Sequence, residues 1–161
     1  METRGEIKEK LTSYFNGVMI EDNNDRDRYI AQIIDLIPRK VTREDNEMLN
    51  SPIPMQEVEE VVNKMAKGKA LGIDGLTSNF FHLFWDLIKK EVWAIVEESR
   101  SKGGVLKSFN TTFLSLIPMG VGPNSPDKFR PTSLCNVIYK IISKVIENHI
   151  KPLLLGLISR K

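Results

Sequence analysis

Apolar positions along most of the chain repeat with the 3.6-residue period of a helix, and one stretch alone switches to a short β-branched run. Ile7, Leu11, Tyr14, Phe15 and Val18 share one helical face. Thr3-Arg4-Gly5-Glu6 ahead of them has the spacing of a capping box, so an amphipathic helix of about 15 residues is predicted. Glu21 to Arg28 is a polar, mixed-charge connection. A short helix is expected over Arg28 to Leu36 and should end at Ile37-Pro38, because the residue before proline is steered out of the helical region. Thr42-Arg43-Glu44-Asp45 can cap a further short helix that stops near Asn50. Ser51-Pro52-Ile53-Pro54 is a rigid turn into a helix with the stripe Val58, Val61, Val62 and Met65. Gly68, Gly72 and Gly75 make Lys67 to Gly75 a loop. Helix resumes near Thr77 or Ser78, and the period of Phe80, Phe81, Phe84, Leu87, Ile88, Val92, Ile95 and Val96 carries it, straight or bent, to about Ser101. Gly103-Gly104 closes it.

The character then changes. Thr111 to Ile117 reads as a strand, Met119 to Asp127 as a turn, and Lys128 to Leu134 as a second strand whose Pro131 calls for an edge or a bulge. Asn136 is the expected N-cap of a last helix carrying Val137, Ile138, Ile141, Ile142, Val145, Ile146 and Ile150. Pro152 should stop or kink that helix, and the tail Leu153 to Ile158 is apolar enough to want a partner. The fold class expected is α+β, helix-dominated: N-terminal helices, then a β-hairpin and a long helix. The chain looks cut short at Lys161.

Composition narrows the class. The 161 residues suffice for one domain or two small ones, and 41% hydrophobic with 27% charged residues is ordinary for a globular chain. The longest strictly apolar runs, such as Leu153–Leu155, fall far short of the roughly 20 residues that span a bilayer, so no membrane partner is expected. METRGEIKEK precedes no apolar h-region, which argues against a secretory signal and for an intracellular chain. One cysteine, Cys135, and two scattered histidines exclude an intrachain disulfide and a structural zinc site. The net charge of +2 conceals a split: residues 1–80 carry 11 Lys/Arg against 15 Asp/Glu, whereas residues 100–161 carry 10 against 2. Such asymmetry suits a polyanion-binding surface, or a merely lysine-rich solvated face.

Candidate chemistry is sparse. The loop 67–75 lacks both the Gly-Lys-Ser/Thr end of a Walker A loop and the preceding strand of a dinucleotide site, and a flexible linker explains its glycines equally well. His82 and His149 have no nearby nucleophile and read as helix-surface residues. Asp127 is close enough to Arg130 in sequence to pair with it or cap the turn, and Cys135 reads as a small buried residue. No catalytic residue and no metal ligand set is expected. The basic residues are better organised. Lys128 and Arg130 flank Phe129 beside the hairpin turn, where an arginine can offer its planar fork to a phosphate. Lys140, Lys144 and Lys151 fall on one face of the last helix, opposite most of its apolar stripe, and suit tracking of a nucleic-acid backbone, unless they are an ordinary wet face.

The order of motifs is distinctive. Lys69 to Thr77 (KALGIDGLT), Phe80-Phe81 with Trp85, Asn110-Thr111-Thr112 with Leu116-Ile117-Pro118, then Phe129 to Asn136 (FRPTSLCN) and Tyr139 to Lys144 (YKIISK) follow one another. Over residues 40–161 the chain resembles the start of the reverse transcriptase domain of LINE-type non-LTR retrotransposons, those of plants in particular. Residues 1–39 resemble, less distinctively, the helical region preceding that polymerase. The resemblance implies an incomplete right-hand polymerase comprising the fingers and the start of the palm, an RNA-directed DNA polymerase fragment. It implies RNA template, RNA–DNA hybrid and dNTP as partners, together with missing palm and thumb segments. By the same resemblance Arg130 contacts the triphosphate of the incoming nucleotide, and Lys69, Gly72, Asp74 and Gly75 belong to a template-side loop. The family's LIPK lysine is Met119 here, and Leu71 and Ile73 replace loop prolines, so nucleotide binding should be weakened. The complete polymerase uses Mg²⁺ held by palm aspartates that are absent from these 161 residues, so the chain alone is expected to hold no cofactor and catalyse nothing. Two alternatives stand beside this reading: a non-enzymatic helical module binding protein or RNA, and a decayed element with no selected function.

Overall fold

The computed structural model describes residues 3–20, 26–34 and 41–157. Its elements are α1 (Arg4–Met19), α2 (Arg26–Ile34), α3 (Arg43–Leu49), α4 (Met55–Lys64), α5 (Ser78–Leu83), α6 (Trp85–Lys102), β1 (Thr112–Pro118), β2 (Phe129–Cys135) and α7 (Val137–Leu157). The chain is therefore helix-dominated α+β, with one two-stranded sheet. Both capping boxes form: Thr3 with Glu6 at the start of α1, and Thr42 with Asp45 at the start of α3. The expected stop at Ile37-Pro38 and residues 21–25 of the polar connection lie outside the described residues, as does Ile158 at the end of the apolar tail.

The elements divide into two compact units. One comprises Met1–Arg39 with Leu116–Thr132, the other Lys40–Ser115 with Ser133–Lys161. In the first, α1 packs on the 3₁₀ turn Pro126–Lys128. Phe15 is buried and meets Tyr14 edge to face at 5.1 Å. Ile7, Tyr14 and Val18, on the predicted stripe, remain exposed. The periodicity located this helix without defining a cover for it.

The second unit owes its core to α4, α6 and α7, which pack pairwise. Val58, Val61 and Val62 of α4 meet Trp85, Val92 and Val96 of α6 and Val137, Ile138, Ile141, Ile142 and Val145 of α7. Each Val or Ile so buried contributes about 1.5–3 kcal/mol of transfer free energy. Ile53 enters this core, and its carbonyl accepts the Trp93 indole N–H at 2.7 Å. At the end of α6, Gly103 adopts the left-handed conformation, and the N–H groups of Gly103 and Gly104 bond back to Arg100 and Ser99.

Several expectations need correction. The long helix after the glycine loop is two helices, broken at Phe84, whose own N–H closes α5 on the Phe80 carbonyl. Pro152 neither stops nor delimits α7, which continues to Leu157. The carbonyl that proline leaves unpaired belongs to Asn148, and both residues are exposed, so water can satisfy it. Neither histidine is a surface residue. His82 is half-buried, with Nε2 3.1 Å from the Met65 carbonyl, and His149 on α7 meets Glu57 on α4 at 2.9 Å. Cys135 is half-buried rather than buried, and its sulfur accepts from the Thr112 hydroxyl at 3.5 Å. No described helix is long and apolar enough to cross a membrane.

Candidate nucleic-acid interface

At the hairpin tip, the Met119 N–H donates to the Lys128 carbonyl at 2.8 Å. Continuing that register along the antiparallel pair sets Ile117 opposite Arg130, and Thr112 opposite Cys135, as their side-chain contact requires. Alternation then puts Arg130 on the face that carries Ile117, with Lys128 and Met119 just beyond the strand ends. Gly120 and Gly122 take positive φ values of 101° and 66° in the turn between the strands. Lys128 and Arg130 are exposed, and among the described residues neither forms an ion pair, so of the two roles open to Asp127 the pairing with Arg130 is not made. Directly opposite Lys128 stands the exposed thioether of Met119.

In the second unit the glycine loop is held rather than free. Its base is closed by the Ser78 hydroxyl, which donates to the Ala66 carbonyl at 2.8 Å, and by the His82–Met65 contact. Its far end is a tight turn in which the Gly75 N–H reaches the Gly72 carbonyl at 3.3 Å and the Asp74 carboxylate accepts the Leu76 N–H at 3.1 Å. Gly75 has φ 70°, and Gly72 is buried against Asn136. Asp74 therefore acts inside the loop, and Gly72 is a contact point with the start of α7. Lys69 stands exposed between the two ends.

Lys69 and Lys140 line one cleft of about 330 Å³, together with Met65, Ser78, Ser133 and Val137. Lys140 also borders an adjoining cleft of about 240 Å³ with Lys144, Asn148 of α7 and Lys64 of α4. The lysine face of α7 lies opposite most of the apolar stripe, but about a third of a turn from the centre of its buried part, and borders α4. Among the described residues Lys69 and Lys140 form no ion pair, whereas Lys64 pairs with Glu60 at 2.9 Å and Lys144 with Glu147 at 2.7 Å. The Lys144 hydrogen bond holds the Glu147 carboxyl below the usual carboxylate range, and the charges of Lys144 and of exposed Lys151 add to it. Lys69, Lys140 and Lys144 are thus brought together, and Lys151 extends the same face. Lys64, Asn148 and Asn136 were missed by sequence reasoning. Lys64 was legible as an i, i+4 partner of Glu60, but its place beside α7 depends on packing.

The arrangement offers cations and hydroxyls to an anionic chain. Among the described residues no group of three or more His, Cys, Asp or Glu side chains is placed to hold a metal ion. A separate, mostly apolar groove of about 390 Å³ is lined by Ile53, Val96, Val105, Ile142, Val145 and Ile146, together with Arg100 and His149.

No protein-family model matches the chain. It is 29% identical over 148 residues to the transposon TX1 uncharacterized 149 kDa protein of Xenopus laevis. The chain is related to a transposon protein. The match takes in 92% of this chain and 11% of the frog protein, so it includes the glycine loop, the hairpin or both, and most of the core.

Proposed function

We propose that these residues form the nucleic-acid-binding fingers and start of the palm of a LINE-type non-LTR retrotransposon reverse transcriptase. The observation that carries this reading is the convergence of Lys69 and Lys140 on one cleft, which Lys144 prolongs along α7. Relation to a transposon protein and the order of the motifs support it. In this reading a single-stranded RNA template lays its phosphates along the α4–α7 groove. The Lys128–Arg130 face of the hairpin meets the triphosphate of an incoming dNTP. Met119 removes a cation from that face, so nucleotide binding is weak. Downstream of Arg100 the only acids are Asp127 and Glu147, so the chemical step belongs to palm carboxylates outside these 161 residues. Affinity for the plant-type elements rests on motif spelling alone.

Fluorescence anisotropy of a labelled single-stranded RNA oligonucleotide, titrated at several salt concentrations, tests the reading. The logarithm of affinity should fall linearly with the logarithm of salt. Lys140→Ala with Lys144→Ala should flatten the slope by about 0.7 per lysine lost, roughly the value for one phosphate contact on a single strand. A chain that binds equally well after both substitutions does not use this groove.

A further inference from the structure

Asn136 sits between β2 and α7, 1% exposed and bonded in three directions. Its Oδ1 accepts the Asp74 N–H at 3.3 Å, and its Nδ2 donates to the carbonyls of Ser108 and Phe109 at 3.1 and 3.4 Å. Its backbone carbonyl meanwhile accepts the Lys140 N–H at 3.2 Å, an opening bond of α7. Asn136 is thus the expected N-cap by position, but its side-chain amide is spent on the glycine loop and on the segment after α6 rather than on the helix. Gly72 explains the geometry from the other side. A Cβ there would lie 2.4 Å from Asn136 Oδ1 and 2.6 and 2.7 Å from its Cα and N, so any side chain at position 72 would push the loop off α7. Gly72 does not have a positive φ, so it is the close approach that demands glycine. Among the described residues, Asn136 is the one side chain from another element that hydrogen-bonds the backbone of loop residues 67–75. Lys69 lies in that loop and Lys140 lies one turn into the helix that Asn136 starts.

We infer that Asn136 is a positioning residue for nucleic-acid binding: it pins the glycine loop against the start of α7 and so sets Lys69 beside Lys140 before a phosphodiester chain arrives. This deepens the template-binding reading and rests on it. A buried amide with its donors and acceptor satisfied is costly to disturb, which makes the junction a fixed point in a loop rich in glycine. A preset pair of cations spares the ordering cost that a free loop would incur on binding.

The test uses the whole chain with Asn136→Ala, Gly72→Ala and Lys69→Ala, singly and in the Asn136→Ala/Lys69→Ala pair. Amide hydrogen exchange at Asp74 reports the clamp, and anisotropy with single-stranded RNA reports its use. Asn136→Ala and Gly72→Ala should each speed Asp74 exchange at least tenfold and weaken RNA binding about three- to tenfold. In the Lys69→Ala background Asn136→Ala should weaken binding no further, an interaction that general loss of stability would not produce. Additive losses in that cycle overturn the positioning role. Unchanged Asp74 exchange in both Asn136→Ala and Gly72→Ala overturns the clamp, even where RNA binding persists. If the parent chain binds no RNA while the exchange response is as described, the template-binding reading fails and the positioning role for binding fails with it, leaving a structural clamp. Gly72→Ala keeps the test decisive should Asn136→Ala fail to fold.

Discussion

Glu97 shows how one side chain joins a helix to a turn that the helix does not contain. Its carboxylate accepts Arg100 Nε at 3.0 and 2.9 Å and the Ile53 N–H at 3.1 Å, while Arg100 Nη1 donates to the Asn50 carbonyl at 2.8 Å. The Arg100 guanidinium, helped by the Ile53 N–H and opposed by partial burial, holds the Glu97 carboxyl below the usual range. A carboxyl depressed in the folded state contributes stability that is present above its ordinary pKa of about 4.3 and lost as pH falls through the folded value. Thermal melts should therefore show stability dropping below about pH 4, with a smaller drop in Glu97→Gln. That variant should cost about 1–2 kcal/mol at pH 7 by weakening these bonds. An acid limb equally steep in the variant would assign the loss to other carboxylates. In the sequence, Glu97 and Arg100 were visible as an i, i+3 pair. Their reach to Asn50 and Ile53 was not, because it spans more than 40 positions and depends on how α6 crosses the turn before α4.

Element by element, periodicity was most legible where a helix lies in a crowded core. The stripes were read correctly at Val58, Val61 and Val62 of α4 and at Val137, Ile138, Ile141, Ile142 and Val145 of α7, which have partners to bury against, whereas Ile146 and Ile150 of the same stripe stay exposed. The hairpin was legible from its β-branched run and turn residues, displaced by one position at each strand, an ordinary uncertainty at element ends. The break at Phe84 was not legible, since Phe84 extends the apolar period as a helical residue would. Its exposure shows that it does not serve the core. Pro152 does not end α7, which runs through it to Leu157 with both Asn148 and Pro152 exposed. The missing bond still has a cost. Pro152→Ala should stabilise the second unit by about 1–3 kcal/mol and slow amide exchange across residues 149–157. Unchanged exchange there would mean that the last turns of α7 are not held as helix in solution.

On the scale of the whole molecule, the charge asymmetry put the excess of basic residues in the last third of the sequence but could not show which of them meet. Lysines of α7 border α4 and meet a lysine from the glycine loop, a convergence that no spacing along one helix contains. The loop residues Gly72 and Asp74 were legible as a motif only; their physical roles, a close approach to Asn136 and a turn-closing carboxylate, needed the fold. In the proposed function, RNA occupies this groove. Lysine-specific acylation of the chain, with and without single-stranded RNA at low salt and read by mass spectrometry, tests it most directly. Lys69, Lys140 and Lys144 should be protected by RNA, and Lys90 and Lys107, which line neither cleft, should label as before. Protection spread evenly over all lysines, or concentrated on Lys90 and Lys107, would contradict it.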